Sequence, residues 1–250
     1  MHFSIRQLLK LTLALLVVWV NTAFADDASY QDDSIDKIRY KLTLSKYSAN
    51  DLDADDLNFR AKLGNQSVWL AYYQESPSNF EQFRTGYERT DQWTRVKTIS
   101  SIQIAEHGFF GGSINAEVGG PLHAIIGYGR TNLRPYDNIN FDPNDSITYG
   151  IGWEKDESLN FSLYRVRDNR VVPGQQIDHF QTQYSSSDEN KLVFDLFHKS
   201  GPTTSPGNSI EAVGAACSYE WARYFIRVAY DPKVNFTQSN MTRVSLGLNF

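Results

Sequence analysis

The chain has 250 residues, 41% of them hydrophobic and 14% aromatic, with 24 Lys and Arg against 29 Asp and Glu for a formal charge of −5. That acidic balance argues against nucleic acid as a partner. The single Cys217 excludes an internal disulfide framework, and no Cys/His spacing suits a metal. The G-x-G pairs at Gly127 and Gly150 are not followed by a helix start, so they are not nucleotide loops and no cofactor is expected.

His2, Arg6 and Lys10 precede the apolar run Leu11 to Val20, and Ala23-Phe24-Ala25 follows it. A basic start, a short apolar stretch and an A-x-A site predict a secretory signal peptide over residues 1–25, cleaved after Ala25; an uncleaved anchor is the other use of such a segment. The run is shorter than the roughly 20 apolar residues of a membrane helix. No later segment approaches that length, so a membrane-bound mature chain has to be a barrel: hydrocarbon admits only helices and closed sheets.

Residues 26–36 read as a short polar leader, and residues 37–250 as strand, turn, strand. Ile38, Tyr40, Leu42 and Leu44 alternate with Arg39, Lys41, Thr43 and Ser45; Leu57, Phe59, Ala61 and Leu63 alternate with Asn58, Arg60 and Lys62. After the Gly64-Asn65 turn, Val68, Leu70 and Tyr72 continue the apolar set. Ile147, Tyr149, Ile151 and Trp153 repeat the pattern, as do Tyr224, Ile226, Val228 and Tyr230. Successive strand side chains point to opposite faces, so each segment has one greasy and one polar side. A β-sandwich would show the same alternation.

The joins discriminate. Long ones (Ser48 to Asp55, Ser76 to Phe80, Asn132 to Asp145, Asp168 to Gln176, Lys199 to Asn208, Asp231 to Asn240) alternate with short ones near Gly64-Asn65, Thr90 to Trp93, Gly119 to Pro121, Lys155 to Ser158, Ser187 to Asn190 and Trp221. This is the layout of a transmembrane antiparallel up-and-down β-barrel of about fourteen strands, or about twelve if two weak segments around His107 to Gly111 merge. Trp69, Trp93, Trp153 and Trp221 all lie near short turns, which predicts one aromatic girdle at the periplasmic interface.

At the end of the chain, Val244, Leu246, Leu248 and Phe250 alternate with Arg243, Ser245, Gly247 and Asn249. This strand resembles the C-terminal strand of Gram-negative outer-membrane β-barrels. The resemblance implies an outer-membrane location and handling by the barrel-assembly machinery, which reads the terminal Phe.

With the apolar parity on lipid, the other parity lines the lumen. It carries Arg39 and Lys41, Arg60 and Lys62, Arg223 and Arg227, and Arg243, on staves that closure would make neighbours, with Arg95 and Lys97 further round. Such charges suit a wet or paired interior. The leading expectation is therefore a small passive channel, a porin, whose basic wall favours small anionic solutes. The bland alternative is a charged network that conducts nothing. Gly127, Gly150, Gly152 and Gly247 on the inner parity are expected to leave space. Asp51, Asp53, Asp55, Asp56, Asp137, Asp142 and Asp145 are expected on the outer rim, solvated or holding divalent cations that bridge lipopolysaccharide.

Two other readings stay open. His198 and Ser200 share a parity with Leu192, Phe194 and Leu196, so they point the same way, as a base and a nucleophile must. This H-x-S element is similar to that of outer-membrane phospholipase A and lipid A deacylases, which implies His198 as base and Ser200 as nucleophile in a lipid hydrolase, with Asn208 a candidate third member. The remaining class is a non-conducting barrel acting in envelope assembly or adhesion.

Overall fold

Every predicted stave continues into a hydrogen-bonded ladder. In the computed structural model, which describes residues 38–50, 52–136, 142–156, 158–187, 190–203 and 207–250, fourteen strands follow one another. They are β1 (Arg39–Ala49), β2 (Leu52–Leu63), β3 (Gln66–Ser76), β4 (Glu81–Trp93), β5 (Val96–Ala105), β6 (Phe109–Gly119), β7 (Leu122–Thr131), β8 (Ser146–Asp156), β9 (Leu159–Asp168), β10 (Gln176–Ser187), β11 (Asn190–Pro202), β12 (Ser209–Trp221), β13 (Tyr224–Asp231) and β14 (Met241–Asn249). Each pairs antiparallel with its sequence neighbours, and β1 pairs with β14, so the sheet is closed. At the seam, Tyr40 and Phe250 exchange backbone hydrogen bonds of 2.7 and 2.9 Å, and their rings stack at 5.7 Å. Closure removes the exposed edge that an open sheet would present. The signal-peptide segment 1–25, with Ala23 and Ala25, and the leader 26–36 lie outside the described residues.

The count is fourteen because the weak region does break. Between β5 and β6, His107 and Gly108 take φ of 64° and 75°, a left-handed turn that ends one strand and starts the next. At one end of the barrel, each of six strand pairs is separated by two residues, as at 64–65 and 222–223; the longer joins lie at the other end. Two expected long joins are corrected. Ser48 to Asp55 is not a loop: the β1–β2 ladder runs to Ala49 opposite Leu52. Its polarity misleads because Asp53 and Asp55 are strand residues bonded to Ser48 (2.9 Å) and Lys46 (3.4 Å). Lys199 likewise belongs to β11, which runs on to Pro202.

The faces are inverted relative to a water-soluble protein. Leu44, Leu246, Ile151 and Leu163 stand 55–57% exposed on the outer parity, while the inner parity buries Ser45, Arg243, His123 and Gln82. A continuous outward apolar surface makes physical sense only against another apolar phase. Trp93, Trp153 and Trp221 join this outer belt near the short turns, with Trp153 stacked on Phe161 and Trp221 beside Tyr219 and Tyr224. Trp69 does not. It shares parity with Ser67, Ala71 and Tyr73, and its ring covers Gly86 on the inner wall. Leu246→Arg, set between the outward Leu44 and Ile226, should destabilise the folded barrel by about 2–4 kcal/mol if it lies at mid-depth, read as a lowered urea midpoint in phospholipid bilayers.

Candidate functional site

Closure sets β13, β14, β1 and β2 side by side, and their inner parity carries Arg227, Arg243, Lys41 and Arg60. Two of the four are matched by carboxylates on more distant staves. Lys41 Nζ donates to Glu220 Oε1 at 2.6 Å and lies 3.9 Å over the Phe225 ring. Arg60 meets Glu88 at 3.3 Å and Ser67 Oγ at 3.1 Å. Lys97 on β5 is matched in the same way by Glu117 at 3.1 Å. Arg243 is buried beneath the Tyr47 ring, 5.7 Å from its centroid. Arg227 forms no ion pair or hydrogen bond with a described residue; the carboxylates it feels are Asp195 and Asp142, at longer range.

The remaining predicted wall residues lie at the short-turn end. Arg39 and Lys62 face each other across the β1–β2 ladder, both exposed. Arg95 and Arg223 are not on strands: they sit exposed in the turns after β4 and β12, where extrapolating the alternation past the end of a stave misplaces them. The result is an uneven wall, ion-paired at Lys41 and Arg60, whereas Arg227, Arg39 and Lys62 form no ion pair with a described residue.

Two long joins fold into the lumen. In the β7–β8 join, Tyr136 stacks on Phe109 at 4.1 Å and reaches Gln103 at 3.4 Å. Asp142, in the same join, lies 3.1 Å from His179 Nε2 on β10. That imidazole also bonds Asp195 through Nδ1 and stacks on Tyr164 at 4.7 Å. The described ends of this join thus touch the inner wall on both sides of β7 and β8. In the β13–β14 join, Val234 and Phe236 are buried against inward side chains, Val234 with Tyr47 and Tyr73, Phe236 with Ile177, Phe197 and Ile210. Lys199 Nζ clamps this join through Asp231 at 2.6 Å and the Lys233 carbonyl at 3.3 Å, with both charged side chains wholly buried. A second buried pair, Arg84 with Asp56, cross-links β4 to β2.

A cavity of about 500 Å³ lies against β5 to β10. Hydroxyls and amides line much of it, among them Ser101, Ser113, Asn115, Thr148, Asn160 and Ser162. The inner glycines do not enlarge it. The space beside Gly152 is taken by the His123 ring and that beside Gly150 by Tyr164, so these glycines admit large neighbours rather than water. The expected acidic rim is also reduced. Asp56 pairs inward, Asp142 meets His179, and Asp145 is buried against Thr131 Oγ1 (2.5 Å) and Arg170 (3.0 Å); Asp51 and Asp137 lie outside the described residues. Among the described residues no group of three His, Cys, Asp or Glu side chains could hold a metal.

His198 and Ser200 do lie on the outer wall, yet they are not joined as base and nucleophile. His198 Nε2 bonds Glu211 at 3.1 Å and its Nδ1 faces Asp178 at 3.9 Å, while Ser200 Oγ accepts from Gln176 at 3.2 Å. With a carboxylate at each imidazole nitrogen, neither nitrogen is directed to take the Ser200 proton. Asn208 bonds Thr203 through its backbone. Neither Glu211 nor Asp178 was singled out from the sequence, although register puts Asp178 directly opposite His198.

The fold matches solved outer-membrane barrels. The chain is similar to the Acinetobacter baumannii outer membrane protein Omp33, with a TM-score of 0.52 and 9% identity over 85% of this chain and 98% of that one. Superposition on KdgM porin gives a TM-score of 0.45 and 8% identity over 84% and 98%. No family model and no curated protein sequence matches the chain.

Proposed function

We propose that this barrel is a small passive channel of the Gram-negative outer membrane, with its longer joins toward the exterior, its short turns toward the periplasm and a preference for small anionic solutes. The observation that carries the channel reading is the inversion of its faces: an apolar outer wall around a polar lumen that keeps an unfilled, hydroxyl- and amide-lined cavity. The anion preference rests on Arg227, Arg39 and Lys62, which form no ion pair with a described carboxylate. The secretory segment over residues 1–25 and the outward Phe250 suit export and recognition by the assembly machinery. Purified, folded protein in planar bilayers should give discrete conductance steps, with a reversal potential in a salt gradient that reports anion selectivity. Correctly folded protein that passes no current would remove the channel and leave the envelope-assembly or adhesion reading standing.

A further inference from the structure

Charge is distributed unevenly around the outside of the barrel at its long-join end. On β1 to β5 that rim is predominantly acidic: Asp53, Asp55, Glu81 and Glu106 accompany a single Lys46. On β7 to β9 it is arginine-rich, with Arg130 on β7, Arg165 and Arg167 on β9, and Arg170 just beyond β9. Two of these are matched by acids, Arg165 by Asp178 at 2.6 Å and Arg170 by Asp145 at 3.0 Å. The other two are not. Arg130 lies 4.1 Å over the Tyr128 ring and, among the described residues, donates to the Gly129 carbonyl and to Asn169 Oδ1. Arg167 is exposed and forms no ion pair or hydrogen bond with a described residue.

Arg130, Arg165 and Arg167 share the outward parity, and further toward the barrel middle the same staves turn apolar. Ile126 and Tyr128 on β7, Ile147, Tyr149 and Ile151 on β8, and Leu163 on β9 stand 41–56% exposed. Register places Tyr128 and Arg167 on either side of Ile147, so Arg130 lies about one outward position above Arg167, two strands away. Neighbouring strands are about 4.8 Å apart, which puts the two unmatched guanidiniums within reach of one headgroup. Read from the barrel middle to the rim, β7 presents Ile126, Tyr128 and Arg130 in turn, β8 presents Ile151 and then Tyr149, and β9 presents Leu163 and then Arg165 and Arg167. Acyl chains, an interfacial layer and anionic groups would meet these in the same order. Guanidinium is also the side chain best matched to phosphate oxygens.

We infer that the outer wall of β7 to β9 is a docking site for a phosphorylated glycolipid of the outer leaflet, a lipopolysaccharide, with Arg130 and Arg167 on its phosphates and the Ile126, Ile151 and Leu163 surface against its acyl chains. The site lies outside the barrel and makes no demand on the lumen, so it stands or falls separately from conduction. It also assigns lipopolysaccharide contact to arginines rather than to carboxylates bridged by divalent cations.

The test is native mass spectrometry of the delipidated, folded barrel titrated with bis-phosphorylated lipid A, with dephosphorylated lipid A and with inorganic phosphate. Wild-type protein should retain the phosphorylated lipid at least tenfold more strongly than the dephosphorylated one and hold no free phosphate. Arg167→Gln, which breaks no contact, should lose most of that preference, and Arg130→Gln with Arg167→Gln should lose all of it, while both keep the wild-type gel shift on heating. Equal retention of the two lipids by wild type, or undiminished preference in the double variant, overturns the site. So does a variant whose only change is in self-association, because the arginine arc would then be meeting the acidic arc of a second copy. If the double variant fails to fold, Arg167→Gln alone decides.

Discussion

Asp231→Leu should destabilise the folded barrel by about 3–5 kcal/mol, the cost of leaving one partner of a buried pair uncompensated. Lys199 and Asp231 are both fully buried, 2.6 Å apart, between β11 and the end of β13. Removing the carboxylate leaves the buried ammonium the Lys233 carbonyl at 3.3 Å and the Phe236 ring at 5.4 Å among its described contacts. The effect is a decrease of roughly 10² to 10⁴ in the folding constant, read as a large drop in urea midpoint in bilayers. Lys199→Met combined with Asp231→Leu should recover most of the loss, because paired apolar replacements of similar volume cost little. A double variant as unstable as the single one would mean that the pair's geometry, rather than an orphaned charge, sets the energy. The same single variant should loosen the β13–β14 join, whose Val234 and Phe236 fill part of the lumen, and so raise conductance in whatever fraction folds.

Arg227→Glu should convert an anion-preferring reversal potential into a cation-preferring one, with a change in permeability ratio of about tenfold or more. Unit charges 4 Å apart interact at about 1 kcal/mol in bulk water and about 4 kcal/mol at the effective dielectric of a protein surface. Reversing one lumen charge therefore spans the 1.4 kcal/mol that a tenfold ratio requires. Arg227 is the position to choose because Lys41, Arg60 and Lys97 are each cancelled by a neighbouring carboxylate, whereas Arg227 is not. A glutamate there would also feel the carboxylates of Asp195 and Asp142 at longer range. Arg227→Gln should give an intermediate reversal potential. Identical potentials for wild type, Gln and Glu would show that ions pass by another route, such as the hydroxyl-lined cavity along β5 to β10.

Much of the barrel was legible because its controlling signals are local. Alternation at residues such as Leu42, Leu44 and Leu246 declares which side of a stave is apolar, and two-residue turns such as Gly64-Asn65 declare where it reverses. The misreadings share one cause. Asp53 and Asp55 look like loop because they are acidic, yet a strand at the barrel's wet end tolerates charge on its outer side. Trp69 looks like a girdle residue because of its place along the chain, but its parity turns it inward. Arg95 and Arg223 look like wall residues because alternation was counted on into a turn.

The candidate site was less legible, since a charge's partner depends on which staves register and closure bring together. Lys41 and Glu220 are 179 residues apart in sequence and bond only because the first strand closes on the last. Nothing near Asp142 in the chain says that its join reaches His179 on β10, and nothing near Lys199 names Asp231. The sequence by itself determined that this is a closed antiparallel barrel, greasy outside and polar within, because side-chain period and turn spacing are properties of short segments. Only the tertiary structure decided which lumen cations are cancelled, which joins fill the interior and where the outer arginines gather, because those depend on distances between staves that no short segment contains.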